Sequence, residues 1–139
     1  MILANYNVNI YGSLANPGNY NTYLTNNGGY VQTDLYVWAV AGNFGLPFLG
    51  FASQSDVINQ FNAGNNVILN VNNGGHWVLL TGYEGTNLYV NDPGFARSTY
   101  RLDEVVTSGV YGPLKTVTKI NKGYSSIIAK LLNKNQESV

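Results

Sequence analysis

Gly64 to Phe95 reads GNNVILNVNNGGHWVLLTGYEGTNLYVNDPGF, and this stretch decides the fold. Three short apolar segments, Val67–Val71, His76–Thr81 and Leu88–Asn91, are separated by turns rich in Asn and Gly. Those residues tolerate the positive φ that tight hairpins need, so the pattern predicts a three-stranded antiparallel meander. A turn centred on Glu84 would set His76 opposite Asp92, Val78 opposite Val90 and Leu80 opposite Leu88. Opposed residues lie roughly 4.5–5.5 Å apart at Cα and project to the same face. A turn centred half a residue later would place Trp77 opposite Asp92 instead, so register decides which side chain meets the carboxylate. Trp77, Leu79, Thr81 and Tyr89 fall on the other face. Both faces are largely apolar, which predicts cover on both sides of the hairpin.

His76 is the only histidine of the chain. A carboxylate beside an imidazole fixes its tautomer, as a base that activates a nucleophile requires. A half-buried histidine satisfied by a neighbouring acid is the structural alternative.

The 139-residue chain fits one domain with a real core. Pro17-Gly18 opens a short helix with Tyr20, Tyr23 and Leu24 on one face, ended by Asn26–Gly29. A second helix is expected from Thr33 or Asp34, with Leu35, Trp38, Ala39 and Gly42 inward. Leu46–Ala52 reads as an aromatic, extended loop. A third helix, capped by Ser53 or Ser55, buries Val57, Ile58 and Phe61 and stops at Gly64. Ser98–Leu102 is expected as a strand and Asp103–Thr107 as a helical turn. Beyond Gly112-Pro113, a strand over Lys115–Ile120 and an amphipathic helix over Ser125–Asn133 are expected to pack on the same domain.

Composition excludes several chemistries. Charged residues make up 10% of the chain, against about 25% in an average domain. Net charge is zero, and every Lys and Arg lies at Arg97 or later. This balance does not favour nucleic-acid binding. One histidine and no cysteine leave too few soft ligands for zinc, and no cofactor motif is present. Asn72-Asn73-Gly74-Gly75 lacks the Lys-Ser/Thr of a phosphate loop. Asp103 and Glu104 are adjacent and diverge on a helix, so they do not form a glycosidase pair. No apolar run reaches the ~18 residues of a membrane span. The compartment is not given by the sequence.

GGHWVLLTGYEGTNLYVNDPGF resembles the His-Asp half of the peptidase C39-like family, a branch of the papain-like cysteine peptidases. Asn21–Tyr30, the segment around Trp38 and Ser55–Leu69 extend the resemblance, which covers about Met1 to Leu102. It implies an α+β, papain-like half-domain: short helices first, an antiparallel meander in the second half, and a C-terminal helix. Residues 1–112 are read as the C39-like domain and 113–139 as its extension. His76 and Asp92 take the places of the catalytic base and its orienting acid, with Trp77 and Gly75 as substrate-binding neighbours.

The family's cysteine nucleophile and oxyanion Gln have no counterpart here, since the chain contains no cysteine. Met1–Tyr6 resembles the later part of the nucleophile helix, so the cysteine is expected about two helical turns before Met1. Its apolar start, without a Ser, Thr, Asp or Asn cap, fits a truncated helix. The resemblance therefore implies an incomplete or non-catalytic domain, inactive alone, that binds a peptide or protein in the residual groove. The alternative is a fragment of an active cysteine peptidase whose Cys and Gln come from missing upstream sequence or another chain. An exposed groove or the C-terminal helix would favour homo-oligomers. Family members are often secreted or membrane-associated.

Overall fold

A computed structural model describes residues 1–31 and 35–115. The chain opens with a single helical turn, α1 (Ile2–Asn5), which buries Ile2 and Leu3. A small ribbon follows, β1 (Asn9–Ile10) paired with β2 (Ser13–Leu14). Helix α2 (Pro17–Asn26) starts where the sequence predicts. Its cap is reciprocal: Asn16 and Asn19 each accept from the other's backbone N–H at 2.9 Å. Such a box satisfies two N–H groups that the first helical turn would otherwise leave open.

The helix expected from Thr33 or Asp34 is not formed at Leu35. Instead β3 (Tyr30–Val31) pairs with β4 (Leu35–Tyr36), and a 3₁₀ helix begins only at Trp38 and runs to Phe44. The cause is tertiary: the Val37 N–H donates to Gly29 O at 2.8 Å, so the segment is drawn out along the end of α2. Tyr36 and Val37 are themselves strand formers, and packing overrides the helical spacing.

Leu46–Ala52 is likewise more ordered than a loop, because Phe48–Ala52 forms β5. The expected serine cap of the third helix is replaced by a 3₁₀ turn over Gln54–Asp56, which leads into α3 (Val57–Asn62) without a side-chain cap. Ser53 and Ser55 bond to each other at 3.1 Å instead.

Strands β6 (Asn66–Val71), β7 (His76–Glu84) and β8 (Asn87–Asn91) form the meander. β9 (Thr99–Arg101) adds to β8, and a 3₁₀ turn over Leu102–Glu104 leads to β10 (Thr107–Tyr111). That last strand is absent from the sequence expectation. It inserts between β5 and β6, giving a six-stranded antiparallel sheet in the order β5-β10-β6-β7-β8-β9. The molecule is thus α+β, with short helices around one sheet.

The expected hairpin register is corrected. Leu79 faces Asn91, Leu80 faces Val90, and Glu84 faces Asn87, with a register shift between Leu80 and Gly82. The turn is Gly85-Thr86, and Gly85 sits at φ 60° while Thr86 keeps a negative φ. This is the two-residue turn that carries glycine at its first position. Thr81 is the extra residue of a bulge, so Leu80 and Tyr83 end on one face, where both contribute to one core.

Two cores flank the sheet. On one side Val57, Val67, Leu69, Val71, Val78, Leu80, Leu88, Val90 and Tyr100 pack beneath α3. On the other, Ile2, Leu3, Ile10, Leu46, Leu79 and Tyr111 pack beneath α1 and α2. The expected strand from Lys115 and helix over Ser125–Asn133 lie outside the described residues, except Lys115, whose N–H donates to Gly45 O at 2.7 Å. Among the described residues, no helix is long and apolar enough to cross a membrane.

Candidate functional site

His76 opens β7 because the preceding turn is locked in place. The buried Asn70 side chain donates to Gly74 O at 3.1 Å and to His76 O at 3.2 Å. Asn72 and Asn73 meanwhile hold φ near 55°, a conformation that asparagine tolerates better than most residues. Across the ribbon, the β7–β8 register carries Asp92 past the end of β8, and the backbone then turns at Pro93-Gly94.

His76 Nε2 lies 2.7 Å from Asp92 Oδ1. The two are diagonal rather than opposed, which the register correction requires, and the long imidazole spans the offset. A carboxylate only accepts, so Nε2 carries the proton in the neutral ring and Nδ1 is left as the acceptor. The Phe95 ring stands edge-on to the imidazole, with centroids 4.9 Å apart and planes at 78°. Gly94 makes the approach possible: a Cβ there would lie 3.1 Å from His76 Cε1, tighter than ordinary packing.

Asp92 is fully enclosed at its side chain, while His76 keeps 17% of its side chain exposed. Enclosure alone would push the Asp92 carboxyl upward. Donors from Gly94 N–H, His76, Phe95 N–H and Tyr100 outweigh it and hold the carboxyl down at about 2. Gly94 and Phe95 donate to Oδ1 at 2.9 Å each, and Tyr100 OH donates to Oδ2 at 3.1 Å. Hydrogen bonds to the charged form are what stabilise it against desolvation. The acid therefore stays ionised at neutral pH and can hold an imidazolium as well as an imidazole.

On the other face, Trp77 and Pro93 line a cavity of about 340 Å³ that also includes Ile2, Tyr20, Tyr36 and Tyr111. Its wall carries a directed chain of hydroxyls. Tyr111 OH donates to the Trp38 carbonyl at 2.6 Å, so its oxygen must accept from Tyr36, 3.0 Å away. Tyr36 in turn accepts from Tyr20 at 2.6 Å. Burial pushes the Tyr20 and Tyr111 hydroxyls well above their ordinary range, so both stay protonated at physiological pH. Gly75 does not line this cavity; it closes the turn before β7, its N–H donating to Asn72 O at 3.1 Å.

The sequence reading singled out His76, Asp92, Trp77 and Gly75. The structure brings the first two into contact and places Trp77 on the cavity wall. Tyr100, Asn70 and the three cavity tyrosines escaped that reading, because their roles arise from side-chain hydrogen bonds that no motif or residue spacing announces. Among the described residues no group of three His, Cys, Asp or Glu side chains is gathered to hold a metal ion.

A family model described as Peptidase_C39 like family matches residues 2–119. No curated protein and no solved structure matches the chain.

Proposed function

The chain belongs to the peptidase C39-like family, and we propose on that footing that it carries the base-and-acid half of a cysteine-peptidase site beside a peptide-binding cavity. As these 139 residues stand, it binds a peptide without cleaving it. One observation supports this reading above the others: His76 bonds Asp92 through Nε2 at 2.7 Å, leaving Nδ1 as acceptor, in a sequence with no cysteine. Nδ1 is the atom that would take a thiol proton during attack on a peptide carbonyl. Without a thiol the first bond to carbon is not made, however well the base is held. Trp77 and Pro93 place the cavity next to the His76–Asp92 pair, so an extended peptide would lay an apolar side chain into it.

The test is titration of the chain with a library of short apolar peptides, followed by tryptophan fluorescence and by mass analysis of the peptides. Saturable binding weakened by Trp77→Ala, with every peptide intact after long incubation, supports the reading. Turnover that disappears in His76→Ala would overturn it, as would the absence of any binding.

A second reading is favoured by the care with which Asp92 is held, since four donors on one enclosed carboxylate exceed what a binding groove requires. In that reading His76 and Asp92 serve a cysteine supplied by upstream sequence or another chain. An in-frame cysteine about two helical turns upstream of Met1, together with peptide cleavage by the longer product, would support it.

A further inference from the structure

Asp92 has two oxygens, and the structure treats them unequally. Oδ1 accepts from His76 and from the Gly94 and Phe95 amides, whereas Oδ2 has Tyr100 OH as its donor among the described residues. A carboxylate anchored at one oxygen can still swing about its side-chain bonds; a donor on the second oxygen removes that freedom. Tyr100 is suited to this because its ring is packed on all sides: it is 2% exposed, sits in the core beneath α3, and pairs with Leu88 across the β8–β9 ladder.

Arg97 adds a second layer. Its guanidinium carbon lies 3.7 Å from the centroid of the Tyr100 ring. The guanidinium is itself held: Nε donates to Thr99 O at 2.7 Å, and Nη2 donates to Glu104 Oε1 and Oε2 at 2.9 and 2.8 Å. A cation on a ring face draws on its π density, which makes the attached O–H a stronger donor. Burial, followed by the bond to Asp92, pushes the Tyr100 hydroxyl upward, so it remains protonated and able to donate.

We propose that Tyr100, with Arg97 stacked on its ring, is a positioning residue that fixes the orientation of Asp92 and through it the tautomer and rotamer of His76. The inference rests on the reading of His76 as a base, but its readouts do not involve peptide turnover. Failure of one is therefore distinguishable from failure of the other.

The experiment uses the whole chain labelled with ¹⁵N and ¹³C, and follows the His76 ring nitrogens and the Asp92 carboxyl carbon through a pH titration. Tyr100→Phe keeps the ring and removes only the donor. The Asp92 midpoint should then rise by about one pH unit, because a hydrogen bond to the charged form is lost. The His76 nitrogen shifts should move toward a mixture of tautomers. Arg97→Gln, at an exposed position, is the second variant and should shift the same signals the same way by a smaller amount. It also decides the matter if Tyr100→Phe does not fold. Unchanged Asp92 and His76 titrations in every variant that folds would overturn the proposal, leaving the Gly94 and Phe95 amides as sufficient anchors.

Discussion

Asp92 is the residue on which the site and the acid stability of the fold meet. Its carboxyl titrates at about 2 in the folded chain against an ordinary value of 3.8. A depressed folded value means that the unfolded chain binds a proton first. Stability from this group is fully present above pH 3.8, and is lost as pH falls through that value toward about 2. Glu104 acts in the same direction, held down by the Arg101 N–H and the Arg97 guanidinium. Urea unfolding measured from pH 5 to pH 2 should therefore show a falling midpoint in the native chain and a flatter profile in Asp92→Asn. Parallel profiles would mean that the carboxylate is no better held in the folded state than in the unfolded one. The His76–Asp92 contact was legible in the sequence because both residues sit within one local ribbon. Tyr100 was not: a strand over Ser98–Leu102 was expected, but not that it pairs with β8 and carries Tyr100 to Asp92.

At the scale of elements, two of the strands that the sequence concealed, β5 and β10, have small residues in them. β10 reads Thr-Ser-Gly-Val-Tyr, which lacks an alternating apolar pattern, yet it is paired on both sides. Gly109 explains the composition. The Trp38 ring lies directly on it, and a Cβ there would collide with Cζ3 and Cη2 of that ring. Trp38 also packs against Trp77, Phe48, Phe51 and Tyr36 at centroid separations of 5.0 to 5.5 Å, which restricts the directions in which it can yield. Gly109→Ala should cost about 1–3 kcal/mol, the usual effect of overfilling a packed core. Gly42→Ala is the control, because nothing lies within 4 Å of a Cβ there and no positive φ is involved. It should stay within about 0.5 kcal/mol of the native chain. Equal midpoints for the two variants in urea would show that Trp38 can move. The same reasoning covers β5, where Gly50 at φ 110° interrupts the strand and hid it among loop residues. The meander was readable because its turns carry Asn and Gly and separate three apolar segments. The register was not, because one extra residue at Thr81 changes it without altering the composition.

For the whole molecule, the order of the sheet ranks its parts by how much must open to expose them. β10, β6, β7 and β8 have a partner on each side, whereas β5 and β9 are edges and the β1–β2 and β3–β4 ribbons stand apart. β6 is the best protected, with Val67, Leu69 and Val71 fully buried and β7 and β10 as neighbours. Amides whose hydrogen bonds lie in such a centre exchange through global unfolding, while those at edges exchange through local opening. Hydrogen exchange at neutral pH should find the slowest amides in β6, β7 and β10, and faster ones in β9 and both ribbons. This ordering bears on function, because His76 is the first residue of β7 and its carbonyl is tied to Asn70 of β6. The base is thus anchored to the most persistent part of the fold, whereas Tyr100 reaches Asp92 from an edge strand. Local opening of β9 would free Asp92 Oδ2 while leaving His76 in place. Exchange in Thr99–Arg101 that is as slow as in Val67–Val71 would mean that the edge does not open separately. The orientation of Asp92 would then be as permanent as the sheet itself.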